Sequence, residues 1–279
     1  MVTGGGIPID APLYEVDLDS GADYWGCKAI AEIFTVDGDA AALIPEGLKL
    51  AGNPPLGMVL LADYGDSTLG PYREFVSLIQ VVDESGAVGM YIPYIYVTND
   101  AALAAGRELL GAPKKLARIE LSKEYEMVQG VLERPSSKRL VTVVMKLSTR
   151  MGPGVLRAFM AEETPYYSLR YLPAPPGGTS VRELVRWTSK ISVRGDRFAE
   201  ELAFTGAGSL TYDSPSAIDP VHNLGVGTLL GSVYLEFDMR LGNAQVVRSE
   251  VWQEPANSES APATNGTVAP EPVASPGGR

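Results

Sequence analysis

The sequence predicts a mainly β fold, mostly antiparallel, of the α+β class, which can close into a barrel. Three observations lead there. Long runs of β-branched and aromatic residues dominate the middle of the chain. Turn-forming residues sit between consecutive runs, as hairpins require. Helical signals are confined to two short segments.

The elements follow in order. Residues 1–12 are rich in Gly and Pro and read as a flexible arm. Asp39–Ile44 reads as a short helix stopped by Pro45. Phe75–Val82 and Val88–Val97 read as paired strands joined by Asp83-Glu-Ser-Gly86. A helix is expected over roughly 100–110, with Asn99 or Asp100 as its cap and Gly111 as its terminator. Leu103, Gly106 and Leu110 then share one face. A second hairpin is expected from Glu126–Leu132 through Arg134-Pro-Ser-Ser137 into Leu140–Leu147. Tyr166–Leu172, Val181–Val193 and Val233–Leu241 read as further strands. No repeat of 20–50 residues is visible. The expected organisation is one folded domain over 13–252 and a disordered tail over 253–279, whose Ala, Pro, Ser and Thr cannot repay their ordering entropy.

Composition excludes several functions. With 279 residues, 45% of them hydrophobic, the chain can bury a sizeable core. Its net charge of −11 repels phosphate backbones, so no nucleic-acid partner is expected. No segment approaches the roughly 20 apolar residues of a membrane helix, so no membrane association is expected either. The N-terminus has neither the basic region nor the apolar run of a secretion signal, and a cytoplasmic location is expected. Cys27 is the lone cysteine and His222 the lone histidine. No disulfide, multi-histidine metal site or cofactor is therefore expected. His222 lies in a turn-like stretch and reads as structural. Catalysis must fall mainly to Lys, Glu, Arg and Tyr.

The candidate for chemistry is Pro113-Lys114-Lys115, just past a helix end and followed by Leu116 and Ala117. Lysine pairs are ordinarily solvated. Here apolar neighbours and a rigid approach give the side chain a pocket to enter. A free lysine is almost wholly ammonium at neutral pH, with roughly one in two thousand neutral. Nucleophilic use requires an environment that disfavours the ammonium by about 4–5 kcal/mol, which burial can supply. The neutral amine can then form a Schiff base with a ketone or aldehyde. On an extended segment, Lys114 and Lys115 point to opposite faces, so their amines are expected to diverge.

Ala105-Gly-Arg-Glu-Leu-Leu-Gly-Ala-Pro-Lys-Lys-Leu116 closely resembles the active-site segment of acetoacetate decarboxylases. Gly70-Pro-Tyr-Arg-Glu-Phe75 resembles the segment that supplies their catalytic glutamate. Ile44-Pro-Glu-Gly-Leu48, Pro165–Pro173 and Asp219-Pro-Val-His-Asn-Leu-Gly-Val226 add support in the same order, across roughly residues 15–250. The resemblance implies a β-barrel core with flanking strands and helices, often in large homo-oligomers. It implies Lys114 as the imine-forming lysine, Lys115 beside it and Glu74 as the acid/base carboxylate. It places Arg107 and Glu108 near the pocket. In acetoacetate decarboxylase a neighbouring cation is a known second influence on the reactive lysine. Tyr91, Tyr94 and Tyr96 read first as packing, with Tyr94 retained as a candidate substrate contact.

Two family features are missing. No arginine precedes Arg73, although the family carries one near the stretch matching Trp25-Gly-Cys-Lys-Ala29. The second pocket carboxylate has Val59 as its counterpart in Gly57-Met-Val-Leu-Leu61. The loss of both implies a changed electrostatic design, suited either to a larger and more apolar substrate or to an imine used for another reaction. Three functions stay open: a lyase that decarboxylates a β-keto acid through an imine and enamine; a Schiff-base aldolase, dehydratase or cyclase of secondary metabolism; and a barrel that binds an apolar ligand without turnover. The expected partner is a small keto acid or ketone.

Overall fold

The computed structural model describes residues 21–152 and 163–253. The expected arm lies outside these residues, as does the expected tail beyond Gln253. Among the described residues there are fourteen strands: β1 (Ala22–Thr35), β2 (Leu48–Leu50), β3 (Leu56–Tyr64), β4 (Asp66–Ser67), β5 (Tyr72–Asp83), β6 (Val88–Val97), β7 (Lys114–Leu116), β8 (Arg118–Glu124), β9 (Met127–Glu133), β10 (Arg139–Arg150), β11 (Glu163–Leu172), β12 (Thr179–Val193), β13 (Ala203–Tyr212) and β14 (Leu229–Gln253). The same residues hold two short helices, α1 (Ala40–Leu43) and α2 (Asp100–Ala105), and a 3-10 turn at Val221–Leu224. His222 falls in that turn, as its sequence context predicts.

All fourteen strands belong to one sheet. Its order is β4-β1-β3-β5-β6-β11-β12-β14-β13-β10-β9-β8, with β2 on β5 and β7 on β6. β1 also pairs antiparallel with β14, from Ala22 opposite Leu241 to Phe34 opposite Leu229. Most pairings are antiparallel; β6 runs parallel to both β7 and β11.

The expected hairpins form. Asp83 closes the β5–β6 turn, its Oδ1 accepting from the Ser85 amide at 2.9 Å and the Ala87 amide at 2.9 Å. The β9–β10 turn is closed by Arg134 N donating to Lys138 O at 2.9 Å. β5 begins at Tyr72, ahead of the expected Phe75, and so takes Glu74 into the sheet. Two faces of β5 carry apolar groups. Phe75, Ile79 and Val81 enter one core, and Tyr72, Val76 and Leu78 enter two smaller ones on the other side. β5 therefore divides the interior, and the candidate site lies on its even-numbered face.

Asn99 caps α2, its Oδ1 accepting from the Ala102 amide at 2.7 Å. The expected single helix is instead α2 followed by one wide turn of π type over Gly106–Leu110. Gly111 ends it in the left-handed conformation, φ 71°. The chain then enters β7, where Lys114 pairs with Ile95 of β6.

Candidate active site

Lys114 leaves β7 towards the interior and meets Glu74 of β5. Its Nζ lies 2.8 Å from Glu74 Oε2, and the two side chains are 8% and 10% exposed. Period-two geometry explains the carboxylate: Glu74 shares its face with Tyr72 and Val76, and that face looks inward. The other oxygen, Oε1, accepts from the Tyr64 hydroxyl at 3.2 Å. Glu74 is thus held from both sides.

Two further tyrosines complete the polar end. The Tyr72 ring sits beside the lysine, with Nζ 5.5 Å from its centroid. The Tyr72 hydroxyl donates to the Tyr24 hydroxyl at 3.4 Å. The three rings pack on one another, with centroids 5.0 Å apart for Tyr24–Tyr64 and 4.9 Å for Tyr64–Tyr72. Burial pushes all three hydroxyls above their ordinary range, so each stays protonated at neutral pH.

This cluster lies at a cavity of about 110 Å³. Apart from Lys114, Glu74, these tyrosines and a Tyr166–Ser189 pair, its walls are apolar, including Leu60, Leu78, Ile92, Leu109, Trp187 and Met239. Among the described residues, Lys114 is the one cation that lines it. A mostly apolar lining of this kind strengthens each charge interaction beside it.

Gly106 lets the lysine in. A Cβ there would collide with Lys114 Cδ and lie 2.6 Å from Cε. The wide turn places this glycine over the aliphatic stem, an arrangement common for such turns at functional sites. From the same turn, Arg107 Nη1 donates to the Lys114 carbonyl at 3.3 Å.

Lys115 points the other way, as expected for the next residue on a strand. Its Nζ bonds Asp219 Oδ1 at 2.9 Å and the Ile218 carbonyl at 2.5 Å. Asp219 is fully buried, and it also receives Arg134 Nε at 3.0 Å and the Tyr96 hydroxyl at 3.4 Å. Lys115 is therefore engaged with a separate cluster and does not line the cavity.

Lys114 and Glu74 are brought together at the cavity; four other sequence candidates do not line it. Lys115 lies behind β7. Arg107 and Glu108 are exposed on the π-type turn, because their helical positions face away from Gly106 and the lysine stem. Tyr94 is half-buried against the core on the opposite face of β6 and does not line the cavity. Val59 also enters that opposite core; Leu60 and Tyr64 are the β3 residues at the cavity. Cys27 is buried, with its thiol pushed up to about 12 by burial, and is not a cavity residue. The tyrosines and Gly106 were not anticipated as site residues. Tyr72 was legible, two residues before Glu74 on one strand face. Tyr24 and Tyr64 reach the site through strand pairing and carry no local signal.

Among the described residues, no three or more His, Cys, Asp or Glu side chains gather as a metal site would require. No helix there is long and apolar enough to cross a membrane.

Comparison with known proteins sets this geometry in a family. The sequence model described as acetoacetate decarboxylase (ADC) matches residues 11–251. Decarboxylase DEC1 of Cochliobolus heterostrophus is 29% identical over 242 residues, 82% of this chain and 88% of that protein. An acetoacetate decarboxylase of Acidiphilium cryptum is 32% identical over 225 residues, 77% of this chain and 84% of that protein. Among solved structures, an acetoacetate decarboxylase from Legionella pneumophila superposes with a TM-score of 0.73 at 23% identity, covering 86% of this chain and 94% of that one. The enduracididine biosynthesis enzyme MppR, complexed with pyruvate, superposes with a TM-score of 0.69 at 16% identity, covering 88% and 99%. At these identities the two structures speak for the fold alone.

Proposed function

Because this chain belongs to the acetoacetate decarboxylase family, we propose that it decarboxylates a β-keto acid through an imine on Lys114, with Glu74 as its proton partner. The chain is an enzyme of the lyase class. The observation that carries the residue assignment is the 2.8 Å pair of Lys114 and Glu74 at the polar end of an otherwise apolar cavity. We read the cycle of paired strands β1-β3-β5-β6-β11-β12-β14-β1 as the barrel that encloses it.

The chemistry follows from the pair. Glu74 Oε2 takes a proton from the Lys114 ammonium, leaving a neutral amine and a carboxylic acid in contact. The amine attacks the keto carbon. The carbinolamine loses water, with its hydroxyl protonated on leaving, and a protonated imine remains. Its positive nitrogen accepts the electron pair of the bond to the carboxylate carbon. Carbon dioxide departs and an enamine forms. Having given its first proton to the departing hydroxyl, Glu74 takes another from solvent and delivers it to the enamine carbon, and water then releases the ketone and restores Lys114. Tyr64 fixes the carboxylate for both transfers.

A second reading shares the first half of this path: the enamine attacks an aldehyde, and no carbon dioxide is lost. Among the described residues, Lys114 is the one cation at the cavity and none other is there to receive a substrate carboxylate, which favours it. Borohydride reduction in the presence of acetoacetate, followed by mass measurement, is expected to give one covalent adduct on Lys114. The adduct should vanish in Lys114→Ala. An undiminished yield in that variant removes the assignment. Carbon dioxide release then separates the two reactions.

A further inference from the structure

We propose that the substrate is a β-keto acid, or the corresponding methyl ketone, carrying an extended hydrocarbon chain, with its polar end at the Tyr24–Tyr72 hydroxyl pair and its chain along Val76, Leu78 and Ile92. This deepens the reading above and rests on imine formation at Lys114. Three observations carry it. First, among the described residues Lys114 is the one cation that lines the cavity, and its nitrogen is consumed by the imine. A short keto acid would find no second cation for its carboxylate among the described residues. Second, the hydroxyls beside Lys114 are neutral donors. Tyr72 donates to Tyr24, so the Tyr24 proton is available to a ligand oxygen. Neutral donors orient a polar group but bind it weakly compared with a charged partner.

Third, the remaining binding free energy has to come from apolar contact, and the wall for it is present. Glu74, Val76 and Leu78 follow one another on one face of β5. Four residues of strand at about 3.3 Å each carry that wall roughly 13 Å from the reacting pair. Ile95 stands opposite Val76, and Ile92 follows it along β6 on the same cavity wall. Beyond them the stacked rings of Tyr166 and Trp187 line the same cavity.

The test uses the full chain with acetoacetate, β-ketohexanoate and β-ketooctanoate, and with methyl ketones of matched length. Carbon dioxide release gives kcat/KM, and borohydride capture gives adduct yield. We expect kcat/KM to rise about fourfold for each added methylene until the cavity is filled. Adduct yield at subsaturating ketone should climb in parallel. Leu78→Trp, which shortens the far wall, should move the optimum to a shorter chain. Acetoacetate turned over as well as or better than the longer acids would overturn the proposal. So would an optimum unmoved by Leu78→Trp. Adducts of equal yield at every length leave the imine reading intact and remove this one. No adduct with any ketone removes both.

Discussion

At the residue scale the molecule depends on one buried ion pair. Removing the charge of Glu74 while keeping its shape separates chemistry from packing. Glu74→Gln is expected to lower kcat by about 10²–10⁴-fold, the usual worth of a positioned acid/base group. Steady-state kinetics on a folded variant is the check; a kcat within a factor of three of wild type would assign the proton to another group. Gly106 supplies a second test at this scale. An alanine there should help the helical turn by up to about 1 kcal/mol. Its methyl would displace the Lys114 stem, and a shift of about 1 Å in a reacting atom can cost 10²-fold. Gly106→Ala is therefore expected to retain its melting temperature and lose about 10²-fold in kcat/KM. Parallel loss of both would mean the glycine serves stability alone.

At the level of elements, three pieces fix the lysine: the wide turn over Gly106–Leu110, the short β7 and the Asp219 cluster behind it. Lys115 and Arg134 converge on one fully buried carboxylate from β7 and from the β9–β10 turn. Arg134 also bonds the Leu116 carbonyl. This cluster holds the back of β7 while Glu74 holds its front. Breaking a buried ion pair costs about 3–5 kcal/mol. Lys115 and Arg134 retain some solvent, so Asp219→Ala should cost about 2 kcal/mol, read as a lower urea midpoint. Much of this was written in the sequence. Asn99, Gly111 and the hairpin turns marked their elements, and the lysine dipeptide on a strand implied divergent amines. β1 and β13 were not legible. β1 is broken by Gly26 and diluted by alanines, and β13 carries Gly206 and Gly208 among few large apolar groups. Both are strands because of what they pack against, which local propensity does not encode. A Cβ at Gly208 would overlap Ser232 Oγ and Glu32 Oε1, so that glycine answers to a partner on another strand.

Over the whole molecule, β14 pairs with β1, β12 and β13 and joins the cavity side to the outer strands. Unfolding is accordingly expected in one cooperative transition. Glu32 gives that transition a pH dependence. It is fully buried on β1, accepts from Ser232 Oγ at 2.5 Å, and its Oε1 has no hydrogen-bond partner among the described residues. Burial raises its pKa from 4.5 to about 7. Between those values the folded chain holds a proton that the unfolded chain has released. Stability therefore falls as pH rises through the window and levels off about 3 kcal/mol lower above it. Glu32→Gln should remove this slope, as denaturation at pH 5 and pH 8 will test. One further consequence concerns Trp187, stacked on Tyr166 with centroids 4.6 Å apart. Its indole forms part of the cavity wall. Intrinsic fluorescence should thus register occupancy without any label, and Trp187→Phe should silence the signal. Screening unlabelled candidates by emission would be the quickest route to the compound this enzyme handles.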